Sequence, residues 1–228
     1  MNVEPIELTA IDGAILRGQH WLGGDIWAIL FHEADRDLDC WHPILEPLIS
    51  RGYSVLTLDM RGHGASDSEW DSTLLGADLD VVLSYGRSKG ASSLAFIGAG
   101  QSVLPALMEA HSQSLFAVVA LSPGPLGDLS PDQLRGGGIP KLLVVGSLGA
   151  SAVEAAEQIR SRAIGWLVVM RLPTADQGTT LLNGSWGLHI EEQMVAFLEE
   201  QRYLKDTSPR PDWNPGAGEI LFKRLFGE

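Results

Sequence analysis

The alternation of short apolar runs with amphipathic segments constrains the fold of this 228-residue chain more than any other feature of its sequence. The chain opens with two alternating segments, residues 6–9 and 15–21, on either side of Asp12-Gly13, a dipeptide typical of a hairpin turn. From residue 27 onward, strand-like apolar runs alternate with segments whose apolar residues recur at helical spacing. A hairpin followed by this alternation predicts an α/β fold, with a mostly parallel, twisted sheet and helices on both faces.

The predicted elements cover most of the chain. Strands are predicted over residues 27–31, 53–58, 94–97, 116–121, 141–145 and 166–172. Helices are predicted over residues 41–51, 73–88, 103–110, 151–162 and 189–201. We therefore expect residues 1–203 to form a single α/β domain and residues 204–228 to form a Pro- and Gly-rich linker followed by an apolar tail.

Composition and charge exclude several functional classes. A formal net charge of −13 disfavours binding to nucleic acid or to an anionic membrane, since both need a basic surface. The single cysteine, Cys40, excludes an internal disulfide and a zinc cluster built on cysteines. The N-terminus has no basic segment followed by an apolar stretch, and no apolar run approaches about 18 residues, so we expect a soluble cytoplasmic protein with no membrane span. Nucleotide-binding loops and His-Glu-x-x-His are absent, and neither a cofactor nor a metal is expected.

One motif carries a resemblance to a known family. The pattern Asp59-x-Arg61-Gly62-His63-Gly64-x-Ser66 directly follows a predicted apolar strand. On this motif the chain resembles the α/β-hydrolase superfamily, particularly compact bacterial esterases of the dienelactone-hydrolase-like kind. His32 at the end of a strand and the Ser122-Pro123-Gly124 turn also match the family. The resemblance implies an α/β-hydrolase fold, and the short connection over residues 124–140 implies a minimal lid.

The resemblance also implies where a catalytic triad would lie, and all three positions are substituted. The nucleophile position in the tight turn after the fifth strand falls on Gly100, the acid position on Gly149 and the histidine position on Gln177. A serine hydroxyl needs a base to remove its proton, and glutamine cannot serve as that base near neutral pH. We therefore expect no catalytic residue at the usual site.

The leading hypothesis is a catalytically inactive α/β-hydrolase-fold protein, a pseudoenzyme, that binds a small molecule or a protein. Open α/β sheets bind ligands beyond the carboxyl ends of their strands, and loss of the triad does not close that crevice. The residues predicted to line the crevice are His32, Glu33, Gly100, Gln101, Ser122 and Gln177. Glu33 would place negative charge where an oxyanion must form, which further disfavours acyl transfer.

The alternative hypothesis is a serine hydrolase or esterase with a relocated site built from Ser102 and His189. Ser102 can equally be a helix cap or a small packing residue, and His189 would reach the site only if residues 183–187 folded back.

Cys40 is interpreted as a packed, inert thiol. The acidic loop over residues 33–39 is either a solvated loop or a contact for a cation or basic partner. A third hypothesis is a paralogue under weak constraint whose fold persists.

The end of the chain is the candidate contact for a protein partner. Bulky apolar residues recur there after the linker, and they either pack on their own domain or dock on a partner subunit. These residues are Ile220, Leu221, Phe222, Leu225 and Phe226.

Overall fold

The computed structural model describes residues 2–108, 114–127, 129–130, 133 and 138–207. Its eight strands form one sheet in the order β1-β2-β4-β3-β5-β6-β7-β8. The pairs β1–β2 and β2–β4 are antiparallel, and all other neighbours are parallel. The strands are β1 (Val3–Thr9), β2 (Ile15–Trp21), β3 (Ile26–Phe31), β4 (Tyr53–Leu58), β5 (Ser93–Ala99), β6 (Ala117–Leu121), β7 (Lys141–Gly146) and β8 (Leu167–Leu172). The predicted opening hairpin and mostly parallel sheet are confirmed.

Helices cover both faces of the sheet, as predicted. Among the described residues, the α-helices are α1 (His42–Ile49), α2 (Leu75–Ser88), α3 (Leu104–Leu107), α4 (Ala150–Arg162) and α5 (Gly187–Thr207). Residues of α2, α3 and α4 belong to one buried apolar cluster, and residues of α1 and α5 belong to a second. Strand β3 separates the two clusters: Trp27, Ile29 and Phe31 face the first, and Ile26, Ala28 and Leu30 face the second. Every residue of β3 is buried, because an interior parallel strand is covered on both faces.

Some predicted boundaries are wrong. The helix predicted over residues 103–110 is a 3-10 turn (Gly100–Val103) followed by the four-residue α3. It ends at Met108, whose extended backbone (φ −79°, ψ 145°) cannot continue a helix. Helix α5 spans Gly187–Thr207 and is longer at both ends than the helix predicted over residues 189–201. The apolar tail residues predicted to contact a partner lie outside the described residues, as do several residues of the connection predicted to form a minimal lid. No described helix is long and apolar enough to cross a membrane.

Candidate ligand-binding site

A cleft of about 560 Å³ opens at the carboxyl ends of the parallel strands. The loops that follow β3, β5, β6 and β8 and the first turn of α4 supply its walls. This volume suits a small organic molecule. Four of the six predicted crevice residues line the cleft, namely Glu33, Gly100, Ser122 and Gln177.

Glu33 joins the loop after β3 to the loop after β8. Its Oε1 atom accepts hydrogen bonds from the backbone N–H and the hydroxyl of Thr179, each 2.9 Å long. Thr179 is buried, and the Glu33 side chain is only 17% exposed. The Nε atom of Arg36 lies 4.0 Å from the same Oε1 atom, at the outer limit of an ion pair. The carboxylate is therefore held in one position by a residue 146 places away in the sequence.

Gly100 lies directly against Glu33. It follows the last residue of β5 and has a φ of +59°, a conformation that glycine adopts freely and other residues adopt with strain. A Cβ atom added to Gly100 would lie 2.9 Å from the Cβ of Glu33, which is closer than two carbon atoms normally pack. The position expected for a nucleophile therefore has neither a side chain nor room for one without a shift of Glu33.

Gln177 fills the space beside Gly149. The amide of Gln177 donates from Nε2 to the carbonyl of Gly146 at 3.2 Å, and its side chain accepts from the backbone N–H of Thr180. It thereby caps the 3-10 helix Gly178–Leu182. A Cβ atom on Gly149 would overlap the Gln177 amide group. The residues expected at the acid and histidine positions are thus in contact, but the pair has no titratable group.

Ser122, on the cleft wall, has a positive φ although it is not a glycine. It directly follows β6 and has a φ of +44°, which is rare for a residue with a side chain. Its backbone N–H donates to the carbonyl of Val144, and the residue is only 6% exposed. Among the described residues, neither its Oγ atom nor Oε2 of Glu33 has a hydrogen-bond partner.

The structure places His32 and Gln101 outside the cleft lining. His32 is fully buried, and its Nε2 atom accepts from the backbone N–H of Met60 at 2.9 Å. Its Nδ1 atom lies 2.7 Å from the carbonyl oxygen of Glu33, to which it donates in this tautomer. Burial lowers the pKa of His32, which favours the neutral ring. His32 therefore fixes two backbone segments and is unavailable to a ligand.

The relocated serine site is not assembled in the structure. Ser102 is completely buried, and its hydroxyl donates to the carbonyl of His32 at 2.6 Å. His189 is exposed on the first turn of α5, with its ring 6.1 Å from that of Trp186. Neither residue lines the cleft. Cys40 is half-buried, and burial raises the pKa of its thiol to about 12, consistent with an inert thiol.

Three charged residues that we had not assigned to the crevice also line it: Asp35, Arg36 and Asp176. Asp176 accepts a hydrogen bond from the hydroxyl of Thr174 at 2.7 Å, whereas Asp35 is exposed on the loop after β3. The sequence signal that could have identified these residues is their position a few residues after the carboxyl ends of β3 and β8. Among the described residues, no three His, Cys, Asp or Glu side chains are grouped closely enough to hold a metal ion.

Solved structures share this fold. The esterase Pf2001 from Pyrococcus furiosus superposes with a TM-score of 0.68 at 17% identity, covering 87% of this chain and 92% of that one. Est1E from Butyrivibrio proteoclasticus, solved with ferulic acid bound, has a TM-score of 0.74 at 16% identity, covering 87% and 99%. A lidless serine hydrolase from Xanthomonas campestris has a TM-score of 0.60 at 16% identity, covering 75% and 84%.

These likenesses establish the α/β-hydrolase fold that the sequence motif predicted. No protein-family model and no curated protein matches the sequence. At such low identities a shared fold does not carry the neighbours' activity to this chain, because function depends on the residues of the site.

Proposed function

We propose that this protein is a catalytically inactive member of the α/β-hydrolase fold that binds a small molecule reversibly in its cleft. In this proposal Gly100, Gly149 and Gln177 occupy the three triad positions. The observation that carries it is the packing of Glu33, fixed by Thr179, directly against Gly100. A carboxylate is thereby held beside the point where a nucleophile would attack.

This arrangement of residues disfavours each step of ester hydrolysis. Nucleophilic attack on a carbonyl needs a serine, cysteine or similar group next to a base, and Gly100 and Gln177 offer neither. The tetrahedral intermediate carries negative charge on its oxygen, and hydrogen-bond donors normally stabilise that charge. Glu33 places a negatively charged acceptor in this region instead. Loss of a nucleophile or base lowers turnover by roughly 10⁶-fold in a serine protease.

The second candidate is a serine hydrolase with a relocated site. The enzyme classes of the structurally similar proteins favour it. Pf2001 and Est1E are esterases, and the Xanthomonas protein is a serine hydrolase. In this chain the relocated site would use Ser102 and His189. For Ser102 to act, its hydroxyl would have to leave the carbonyl of His32 and turn into the cleft.

Turnover of short-chain p-nitrophenyl esters separates the two candidates. We expect the wild-type protein and Ser102→Ala to release p-nitrophenol at the same rate as buffer containing an equal mass of serum albumin. Enzymatic turnover that Ser102→Ala or His189→Ala abolishes would overturn the binding proposal and establish the relocated site. Circular dichroism of each variant checks that an inactive sample is folded.

The domain organisation is part of the same proposal. Residues 1–203 would form the binding domain, with residues 204–228 as an appendage through which a protein partner could attach. We expect a chain that ends at Thr207, the last described residue of α5, to retain the melting temperature of the full chain. A fall of more than about 5 °C would contradict this division, since a change of that size corresponds to a loss of roughly 1–2.5 kcal/mol in a domain of this length.

A further inference from the structure

The last strand of the sheet, β8, leaves apolar side chains half-exposed on both of its faces. In the described part of the chain β8 pairs with β7 alone, so it forms one edge of the sheet. Its first four residues, Leu167–Met170, are three apolar aliphatic residues and a methionine, and all are only partly buried. Leu167 and Val169 pack on the first apolar cluster, and Val168 and Met170 pack on the second. An edge strand with apolar side chains favours pairing with a further strand.

The opposite edge of the sheet is protected against such pairing. Strand β1 carries Glu4, Pro5 and Glu7, and all three are exposed. Charged residues and proline are common means by which an edge strand avoids contact with other chains. Residues 166–170, by contrast, include no charged residue and no proline. This difference between the two edges indicates that the β8 edge is covered in the native protein.

The helix beside this edge carries a row of side chains that is complementary to itself. Helix α4 packs over β7 and β8, and Glu157 on α4 forms an ion pair with Arg171 on β8, so this side of the helix faces the edge. Val153, Glu157 and Arg160 recur at helical spacing, and Ile164 follows beyond the end of the helix. In chain order the row is apolar, acidic, basic and apolar. A reversed copy of the row therefore places acid against base and apolar residue against apolar residue.

We propose that β8 pairs with β8 of a second copy of this chain, in an antiparallel arrangement that joins the two sheets into one. A two-fold axis perpendicular to the sheet makes the paired edge strands antiparallel and brings the same surface of each copy together. Helix α4 of one copy then lies beside α4 of the other and runs in the opposite direction. Glu157 of each copy approaches Arg160 of the other, and Val153 approaches Ile164. This charge complementarity is the reason that a second copy fits the edge.

The apolar tail, residues 220–226, is the other candidate to cover this edge. Connections between parallel strands of one sheet are almost always right-handed. Helix α4, which connects β7 to β8, lies on the face of the first apolar cluster, whereas α5, which follows β8, lies on the face of the second. A strand that followed α5 and extended the sheet in parallel beyond β8 would therefore make a left-handed connection. The pairing of two copies needs no connection and is free of this constraint.

Analytical ultracentrifugation of the full chain between about 1 and 200 μM tests this proposal. We expect a species of twice the chain mass of 24.6 kDa at the higher concentrations. Hydrogen exchange read by mass spectrometry should be slower over residues 166–172 in the dimer than in the monomer. Val169→Lys places a charge on the paired edge and should raise the dissociation constant roughly tenfold or more. Val3→Lys makes the same substitution on β1 and is the matched control, which should leave the constant unchanged within about twofold.

Arg160→Glu tests the pairing of the two helices without disturbing the core, because the Arg160 side chain is 60% exposed. It places an acid opposite Glu157 of the other copy, so we expect the dissociation constant to rise roughly fivefold or more. Arg87→Glu makes the same change of charge at an exposed position of α2 and should have an effect below about twofold. Circular dichroism of each variant checks that it is folded.

Several results would overturn the proposal. These are a full chain that remains monomeric at 200 μM, equal weakening by Val169→Lys and Val3→Lys or by Arg160→Glu and Arg87→Glu, and a dimer in which exchange over residues 166–172 does not depend on concentration. Phe222→Asp in the full chain distinguishes the tail from a second copy. We expect this variant to dimerise as the wild type does. A monomeric wild type that dimerises only with Phe222→Asp would show that the tail covers the edge instead.

Discussion

Glu33 and Gly100 are packed so closely that a Cβ atom on Gly100 would lie 2.9 Å from the Cβ of Glu33. The two residues follow the neighbouring parallel strands β3 and β5, so the sheet itself brings them together. Gly100 has no side chain, and the acidic side chain of Glu33, which is fixed in position, packs directly against it.

Restoring a serine at this position should destabilise the protein without creating an esterase. Gly100→Ser and Gly100→Ala both place a side chain at a φ of +59° and against Glu33, so we expect each to lower the free energy of unfolding by about 1–3 kcal/mol. Gly127→Ala is the control, because Gly127 has a φ of +55° but no described atom lies within 4 Å of its added Cβ. Urea unfolding should show the larger loss at Gly100. Equal or higher stability of Gly100→Ser would contradict the packing argument.

The contact between Gly149 and Gln177 should appear as a coupling in a double-mutant cycle. Gly149→Ala overlaps the Gln177 amide and should cost about 1–3 kcal/mol, as overpacking does in a tight site. Gln177→Ala removes that amide and so should make Gly149→Ala less costly. We expect a coupling energy of about 0.5–3 kcal/mol in chemical denaturation. Additive effects of the two substitutions would show that the residues do not compete for the same space.

The two carboxylates that pair with Arg61 should differ greatly in importance. Asp78 and Arg61 are both fully buried and share two hydrogen bonds of 2.6 and 2.9 Å. Asp12 bonds the same guanidinium, but its side chain is 37% exposed. We expect Asp78→Asn to cost about 3–5 kcal/mol, because it removes the buried carboxylate that pairs with the buried Arg61 and leaves only the partly exposed Asp12. Asp12→Asn should cost at most about 1 kcal/mol, and similar losses in thermal unfolding would contradict this difference.

The sheet and the family motif could be predicted from local patterns, because apolar runs and tight turns are properties of neighbouring residues. The hairpin at Asp12-Gly13 and the buried strand β3 are examples. Helix α3 is shorter than predicted because apolar spacing alone did not reveal the extended backbone at Met108.

The site was predicted less completely, because its decisive contacts join distant parts of the chain. The sequence indicated that Glu33 lies near the crevice, but not that Thr179 would hold its carboxylate. His32 was expected to face a ligand, yet a backbone N–H after β4 and the carbonyl of its own neighbour occupy its ring nitrogens. Ser102 likewise bonds a carbonyl 70 residues away. Such pairings depend on the packed loops and leave no local pattern in the sequence.

The thiol of Cys40 should react slowly in the native protein. Burial raises its pKa to about 12, whereas an unfolded cysteine ionises near pH 8.5, so the thiolate fraction at pH 8 should fall on the order of 10³-fold on folding. As this is the only cysteine, Ellman's reagent reports on it alone. We expect rapid labelling in 6 M guanidinium and very slow labelling without it. Native labelling within tenfold of the unfolded rate would contradict the raised pKa of the Cys40 thiol.

The same shift predicts a pH dependence of stability at the alkaline end. The folded state holds the Cys40 proton up to about pH 12, and the unfolded state releases it near pH 8.5. The unfolded state therefore gains stability relative to the native state as pH rises through this window, and the Cys40 contribution to native stability falls. Cys40→Ser should unfold with a smaller decline in melting temperature between pH 8.5 and pH 10.5. Parallel declines in the two proteins would show that the thiol is not the cause.

The most direct test of the central claim is labelling with a fluorophosphonate, read by intact mass. This reagent attaches covalently to a serine activated by a base, whichever serine that is, so it does not depend on guessing the substrate. We predict that the folded wild-type protein keeps its unmodified mass after prolonged incubation, and that Gly100→Ser also remains unmodified because Gln177 supplies no base. A stoichiometric adduct on the wild-type protein, mapped to Ser102 or to any other serine, would contradict the account and identify the nucleophile of an active hydrolase.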